Sequence, residues 1–381
     1  MSNFIARALS KEILKKLIPQ QVIVLYGARR VGKTTLIENI KSKLSGSIKY
    51  INAENSVQRK EIDTDNVYQL EQLLKKYDYL IIDEAQQINQ IGQLLKIIVD
   101  NVKHIKILVS GSASFELSNQ IGEPLTGRKR TLILYSVAVS ELHAGEDENI
   151  TKQLEDLIIY GSYPKIFQIS NPTDKQEELM EVVDSYLCKD ILILENIKNS
   201  AKLRDLLVLL ALQIGSEVSL NELSLNLKLH ISTVEKYLDL LEKVFVIYKL
   251  RGFSRNLRKE VGKTNKYYFY DNGIRNALIN NFNPLKLRND VGGLWENFLM
   301  TERMKLFHYK RIFANRYFWR TYDKKEIDLI EEYGGHLYAW EFKYGKKTPK
   351  PPKEFLNTYQ NSSFGVVDKS SYLDFLLNHI Q

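Results

Sequence analysis

The sequence of 381 residues contains a single cysteine, Cys188, and no long hydrophobic run. One thiol cannot form an internal disulfide or a thiolate metal site, and such cysteine usage is typical of a reducing compartment. No segment approaches the roughly 20 consecutive apolar residues that a membrane-spanning helix needs, and the first residues lack the apolar core of a secretory signal. We therefore expect a cytoplasmic protein that is neither a disulfide scaffold nor inserted in a membrane.

Strong compositional bias is also absent, since 44% of the residues are hydrophobic and 26% are charged. This composition is typical of a globular chain that buries real cores, and 381 residues are enough for several domains. The chain has 54 Lys and Arg against 46 Asp and Glu, a formal charge of +8 that favours a polyanionic partner. Solvated lysine-rich surfaces produce the same excess, so the charge alone does not establish nucleic-acid binding.

A glycine-rich segment near the amino terminus matches the G-x-x-x-x-G-K-[ST] phosphate-binding loop. It follows the apolar segment 22–26 and opens a helical pattern, which is the context that the motif requires; an ordinary glycine turn is the alternative. We predict that Lys33 contacts the β- and γ-phosphates of ATP and that the Thr34 hydroxyl binds Mg²⁺. The predicted ATP-binding residues are Gly27, Ala28, Arg29, Arg30, Val31, Gly32, Lys33, Thr34 and Thr35.

Two adjacent carboxylates follow the apolar segment YLII, about fifty residues after this loop. Such a pair is often only the solvated end of a strand. Its position after the loop is typical of a Walker B element, in which Asp83 holds the Mg²⁺ shell and Glu84 orients or deprotonates the attacking water. The sequence therefore predicts both halves of an ATP-hydrolysing site.

The order GARRVGKTT, LIIDEAQ, ILVSGSAS and LTGRKR resembles the AAA+ ATPases. More narrowly, it is similar to a prokaryotic group whose ATPase carries a carboxyl-terminal domain of uncharacterised function. The resemblance implies that Ser110, or alternatively Ser112, senses the γ-phosphate, although a serine here is as readily a turn cap. It also implies that Arg128, with Arg130 as competitor, acts as an arginine finger in a homo-oligomer such as a hexamer. A basic surface loop is the alternative for both arginines.

Strands alternating with helices in the first third of the chain predict an α/β core with a parallel sheet. Later segments predict a helical lid, a winged helix-turn-helix and a carboxyl-terminal α/β domain. The expected division is 1–142 for the P-loop AAA+ core, 143–200 for the lid, 201–283 for the winged helix and 284–381 for the terminal domain.

The predicted winged helix is expected to bind DNA through the basic wing 251–266 and through the helix that starts at Ser232. The wing contains Arg251, Arg255, Arg258, Lys259, Lys263 and Lys266, with Phe253 among them. The residues expected on the exposed helix face are His230, Thr233, Lys236 and Tyr237. A protein-docking module with a merely soluble hairpin is the alternative.

Four charged residues of the terminal domain follow the order of a PD-(D/E)xK nuclease site. Asp328 and Glu341 are predicted to bind Mg²⁺, Glu296 to support the metal from a helix, and Lys343 to position water. Alternation along the strand places Glu341 and Lys343 on one face. An E-x-K sequence is also common on solvated strands, so a structural tail is the alternative.

Together these patterns predict a DNA-acting ATPase that uses ATP and Mg²⁺, coupling hydrolysis to DNA binding, remodelling or cleavage. The competing hypothesis is an ATP-dependent switch or scaffold that recruits protein partners and carries an inactive nuclease-like tail.

Overall fold

The computed structural model describes residues 5–112, 124–142, 147–185, 200–255, 265–321, 325–345 and 349–378. Cys188 lies outside these ranges. The described residues form two compact units, the first built by residues up to Ser136 with the segment Lys243–Phe245 and the second by the other described residues from Val137 onward. Among the described residues, no helix combines the length and the apolar character needed to cross a membrane.

The first unit contains a five-stranded parallel sheet in the order β2-β3-β4-β1-β5. Its strands are β1 (Val22–Gly27), β2 (Ile48–Asn52), β3 (Tyr79–Asp83), β4 (Lys106–Ser112) and β5 (Lys129–Ile133). Every residue of β1 and β3 is buried, as expected for central strands of a sheet covered on both faces.

The helices of this unit are α1 (Leu9–Lys16), α2 (Lys33–Lys41), α3 (Ser56–Ile62), α4 (Val67–Leu74) and α5 (Ile91–Asn101). In α5, Ile91, Leu95 and Ile98 recur at the spacing of one helix face and are completely buried in the core of the sheet. The helices α3 and α4 begin after Asn55 and Asn66, whose side chains accept hydrogen bonds from backbone N–H groups of the first turn.

The second unit combines helices with a second sheet. Its helices are α6 (Val139–Leu142), α7 (Asp147–Tyr160), α8 (Pro172–Val182), α9 (Ser200–Leu212), α10 (Leu220–Leu227), α11 (Ile231–Lys243), α12 (Asn272–Leu278), α13 (Val291–Lys310), α14 (Lys353–Thr358) and α15 (Tyr372–Leu377). Its strands are β6 (Glu217–Val218), β7 (Ile247–Gly252), β8 (Asn265–Phe269), β9 (Asn315–Arg320), β10 (Glu326–Tyr333), β11 (His336–Phe342) and β12 (Ser362–Val367).

One seven-stranded sheet, in the order β12-β11-β10-β9-β7-β8-β6, runs through the second unit. Strands β7 and β8 form an antiparallel hairpin, and β7 also pairs in parallel with β9 through Arg251 opposite Tyr317 and Gly252 opposite Phe318. The hairpin of the predicted winged helix and the strands of the predicted terminal domain therefore share hydrogen bonds in one sheet.

The predicted α/β class, with a parallel-sheet core and a carboxyl-terminal α/β part, is confirmed. The helices α9, α10 and α11 precede the β7–β8 hairpin in the order expected of a winged helix, and α7 and α8 lie where a lid was expected. The winged-helix and lid assignments, and the division into four domains, stay predictions.

Candidate active site

The phosphate-loop motif connects the end of β1 to the start of α2, at the carboxyl edge of the parallel sheet. Gly32 precedes α2 with φ 95°, a left-handed conformation that glycine adopts without strain, and Arg30 has φ 62°. These turns bring the loop to the amino terminus of α2, where free backbone N–H groups and the helix dipole favour an anion. The predicted loop therefore lies in the geometry that phosphate binding requires.

The side chain of Lys33 is buried at the base of this loop, with 4% of its surface exposed. Its ammonium donates hydrogen bonds to the carbonyl oxygens of Gly27, at 3.1 Å, and Ala28, at 3.0 Å. Burial lowers the pKa of Lys33, while the carboxylates of Glu84 and Asp83 oppose that shift. The Lys33 ammonium is thus held beside the phosphate loop by hydrogen bonds to two uncharged carbonyl groups.

Asp83 brings together side chains from the ends of β3, β4 and α2. The Thr34 hydroxyl donates to Asp83 Oδ2 at 2.7 Å, and the Ser110 hydroxyl donates to Asp83 Oδ1. A hydroxyl and a carboxylate oxygen are ligands that Mg²⁺ accepts, so Thr34 and Asp83 fit the metal role predicted for them. Ser110 is completely buried and also accepts a hydrogen bond from the backbone N–H of Glu84, at 3.3 Å.

Glu84 follows β3 in a left-handed backbone conformation, with φ 54°, which a residue other than glycine rarely adopts. The side-chain amide of Gln86 donates to Glu84 Oε2 at 2.5 Å and to the Ser112 hydroxyl at 3.0 Å. Gln86 therefore connects the predicted water-activating carboxylate to the end of β4. The sequence analysis did not identify Gln86, because nothing in the local pattern shows its contact with Ser112.

The arginines predicted near the site differ in their surroundings. Arg128 forms an ion pair with Asp100 of α5, and Arg130 donates to the side chain of Gln21 at 2.8 Å. The Arg128 side chain is 48% exposed, and an exposed ion pair of this kind contributes roughly 1 kcal/mol or less. This pairing would therefore hold Arg128 only weakly in place. Arg30 is exposed and Arg29 half-buried.

The four charged residues predicted for the terminal domain lie in one cluster of the second unit. Asp328 sits where β10 shifts its register against β9, a bulge that re-aims side chains, and it accepts a hydrogen bond from the backbone N–H of Phe342 at 2.7 Å. Lys343 donates to Glu341 Oε1 at 2.6 Å. Burial and the nearby Asp328 carboxylate raise the pKa of Glu341, while burial raises that of Asp328 against the effect of Lys266.

Glu296, on α13, points into the same cluster and meets two side chains of β8. Lys266 lies 3.1 Å from its Oε1 atom, and the Tyr268 hydroxyl donates to that atom at 2.5 Å. Burial, together with the Asp328 carboxylate, raises the pKa of Glu296 to about 7. The cluster brings Glu296, Asp328 and Glu341 near each other, yet the part of the chain that the structure describes holds no group of three His, Cys, Asp or Glu side chains arranged for a metal ion.

Three residues expected on the DNA-binding surface are buried, and that part of the prediction is wrong. Lys266 faces the acidic cluster and is 1% exposed, because β8 is an inner strand of the sheet. Phe253 packs in a core with Trp319, and Tyr237 is buried in the inner face of α11. The exposed members are Arg251, Arg255, His230 and Lys236, with Thr233 half-buried; Arg258, Lys259 and Lys263 lie outside the described residues.

Comparison with protein families assigns residues 19–143 to an AAA domain. Residues 151–285 and 291–376 match two domains of unknown function, DUF8612 and DUF4143. The P-loop AAA-type ATPase domain predicted at the amino terminus is therefore confirmed. Neither match in the second unit tests the winged-helix or nuclease-like assignments, which stay predictions.

The chain is similar to two uncharacterized proteins and to one solved structure. An uncharacterized protein of Mycobacterium tuberculosis is 28% identical over 328 residues, covering 84% of this chain and 70% of that protein. Another, from Methanocaldococcus jannaschii, is 25% identical over 270 residues, covering 65% of this chain and 60% of that protein. A Walker-type ATPase of Pyrococcus abyssi has a similar structure, with a TM-score of 0.50 at 15% identity over 73% of this chain and 96% of that one. At that identity the likeness concerns the fold.

The contact between Gln86 and Glu84 generates a test of how the carboxylate is positioned. We expect Gln86→Ala to lower the turnover number for ATP by roughly tenfold, because a lost orienting hydrogen bond is worth about 1.4 kcal/mol in the transition state. Binding of a fluorescent ATP analogue should change little, since Gln86 contacts no residue of the loop in the described hydrogen bonds.

The neighbouring exposed Gln87→Ala provides the matched control and should keep normal turnover. Equal turnover in the two variants would show that Gln86 does not position Glu84.

Proposed function

We propose that this chain hydrolyses ATP with Mg²⁺ at its P-loop and uses that hydrolysis to act on DNA. The observation that carries the ATPase part is the convergence of Lys33, Thr34, Asp83 and Glu84 at one edge of the parallel sheet. The AAA domain that spans residues 19–143 supports the same activity. The proposed action on DNA is based on exposed cationic side chains of the second unit.

Each residue of the nucleotide site has a separate task in this mechanism. The loop N–H groups and the Lys33 ammonium bind the β- and γ-phosphates and stabilise the charge that spreads over the γ-phosphoryl oxygens. Thr34 and Asp83 would hold Mg²⁺, which supplies further charge stabilisation when bound. Glu84 orients the attacking water and accepts its proton. Ser110 fixes Asp83, and it would sense the γ-phosphate through that contact.

The action on DNA is supported by charge and exposure. The chain carries a formal charge of +8, and Arg251 and Arg255 lie exposed on and after β7. His230, just before α11, and Lys236, within α11, are also exposed. Exposed cations of this kind bind phosphates without reading the base sequence. The proposal therefore concerns DNA as a polyanion and assigns no sequence preference.

A switch or scaffold that recruits protein partners is the second candidate. It is favoured by the burial of Lys266, Phe253 and Tyr237, which leaves fewer groups for DNA than the sequence indicates. The two functions differ in one measurable property. Hydrolysis that DNA stimulates, with a stimulation that falls steeply as salt rises, supports the action on DNA, and unstimulated hydrolysis supports the scaffold.

The first prediction separates nucleotide binding from hydrolysis. Lys33→Ala should weaken ATP binding by roughly 10- to 100-fold, because a charge-assisted contact to phosphate is lost. Glu84→Gln should bind ATP normally and turn over about 100-fold more slowly, since it keeps the shape of the side chain and loses the basic carboxylate. Equilibrium binding and phosphate release measure the two effects. The exposed Glu54→Gln is the control, and turnover by Glu84→Gln at the control rate would remove Glu84 from the mechanism.

The next prediction concerns assembly, because an arginine finger at Arg128 would reach the γ-phosphate of a neighbouring subunit. Arg128→Ala should lose about 1000-fold in turnover, the scale of an arginine finger, while Arg130→Ala loses little. Mixing Arg128→Ala with Glu84→Gln should restore part of the activity, because a mixed interface joins one intact P-loop to one intact arginine. A co-assembled mixture that stays inactive would exclude action of Arg128 across a subunit boundary.

The prediction for DNA rests on Arg251 and Arg255. Their double reversal to Glu should weaken DNA binding and reduce the slope of log affinity against log salt by roughly 2, because each lost phosphate contact releases about one counterion fewer. Fluorescence anisotropy of labelled duplexes at several salt concentrations measures both quantities. Lys60→Glu with Lys75→Glu reverses two exposed lysines of the first unit and controls for net charge. If the two double variants have the same DNA affinity and the same salt dependence, Arg251 and Arg255 do not contact DNA.

A further inference from the structure

Lys266 is the most deeply buried lysine of the acidic cluster in the second unit. Only 1% of the residue is exposed, and its ammonium lies 3.1 Å from Glu296 Oε1 and 2.5 Å from Glu326 Oε1. A buried charge is strongly disfavoured unless opposite charges and hydrogen bonds surround it. The position of this lysine on an inner strand is therefore possible because carboxylates from α13 and β10 converge on it.

A third carboxylate belongs to the same arrangement. Burial raises the pKa of Asp328, and the nearby Lys266 ammonium opposes that rise. Across the cluster, the lysines Lys266 and Lys343 face the carboxylates Glu296, Glu326, Asp328 and Glu341. The atom on which Glu296 and Glu326 converge is thus an ammonium nitrogen that the chain itself supplies.

Further hydrogen bonds to these carboxylates are made within the protein. Asp328 Oδ2 accepts from the backbone N–H of Phe342, and Glu296 Oε1 accepts from the Tyr268 hydroxyl as well as from Lys266. A divalent cation needs several oxygen ligands directed at one point at about 2.0–2.6 Å, and the carboxylates among them must have no other cation between them. Within the described residues no group of three His, Cys, Asp or Glu side chains is arranged for a metal ion. The Lys266 ammonium already lies between Glu296 and Glu326, so the donor set of this cluster does not fit the metal site that the sequence indicates.

We propose that the Lys266 ammonium takes the place of a divalent cation in this cluster, so that the fold of the second unit does not depend on a metal ion. Lys266 comes from β8, whereas its carboxylate partners come from α13 and β10. The lysine therefore joins the hairpin to the terminal strands in the way that a bound metal ion would. This inference is independent of ATP hydrolysis and of the DNA contacts proposed for β7.

Without the ammonium, the carboxylates should repel each other, and a bound metal cation should then stabilise the cluster. We expect Lys266→Ala to lower the melting temperature of the second unit by on the order of 10 °C in the presence of a chelator, as for an uncompensated buried charge in a domain of this size. Millimolar Mn²⁺ or Mg²⁺ should restore much of that loss. The parent protein should melt at the same temperature with either ion or with chelator.

The experiment uses the full chain in a Lys33→Ala background, so that metal binding with nucleotide at the P-loop does not contribute. Thermal unfolding is followed with chelator, Mg²⁺ or Mn²⁺, and Mn²⁺ binding is counted by electron paramagnetic resonance. Lys249→Ala, on β7 of the same hairpin and paired with Glu242, is the matched control. It should lose little stability and show no response to metal. Lys266→Ala with Glu326→Gln should need the metal less, because one carboxylate has been neutralised.

Three results would overturn the inference. The first is a parent protein that binds Mn²⁺ at the cluster and loses it in Asp328→Asn, since the carboxylates would then be metal ligands with Lys266 present. The second is Lys266→Ala that is as stable as the parent without metal. The third concerns a Lys266→Ala variant that does not fold in chelator. If its refolding yield is equally low with Mn²⁺, the metal cation cannot replace the lysine. Recovery of folding with Mn²⁺ supports the inference.

Discussion

The carboxylate of Asp83 is the point on which the nucleotide site depends. It is 2% exposed and accepts hydrogen bonds from the hydroxyls of Thr34 and Ser110, which belong to α2 and β4. A buried carboxylate is tolerated only with such partners, so these bonds fix the ends of β3, β4 and α2 relative to each other. Lys33 is the neighbour of Thr34 in the chain, and Glu84 is the neighbour of Asp83, so these bonds also fix where Lys33 and Glu84 lie.

The strand order explains why these residues meet. In the order β3-β4-β1, the strand that carries Ser110 lies between the strand before the phosphate loop and the strand that ends at Asp83. The carboxyl ends of parallel strands share one edge, which is where open α/β sheets bind ligands. The spacing of the two motifs predicted that the phosphate loop and Asp83 lie at this edge, because each motif lies at the end of a buried parallel strand. The role of Gln86 could not be predicted, because it depends on a hydrogen bond to Ser112, which lies far away in the sequence at the end of β4.

The second unit was harder to predict because its strands pair over long separations. A high density of basic residues between 251 and 266 indicates an exposed wing, and for Arg251 and Arg255 the exposure is as expected. Lys266 differs because β8 lies between β7 and β6 in the sheet, and because its side chain meets Glu296 of α13 and Glu326 of β10. The sequence predicted that Glu296, Asp328 and Glu341 belong to one site, and they lie near each other, yet it could not show that a lysine from β8 joins them.

The two buried lysines show how partner chemistry separates a ligand site from a structural one. Lys33 is bonded to the neutral carbonyls of Gly27 and Ala28, and it would gain energy by exchanging them for phosphate oxygens that carry charge. Lys266 is bonded to the carboxylates of Glu296 and Glu326, so an incoming phosphate would replace one anion by another and leave both carboxylates unpaired. Buried lysines with similar exposure can therefore have opposite roles, and the charge of the atoms around the ammonium decides which role each one has.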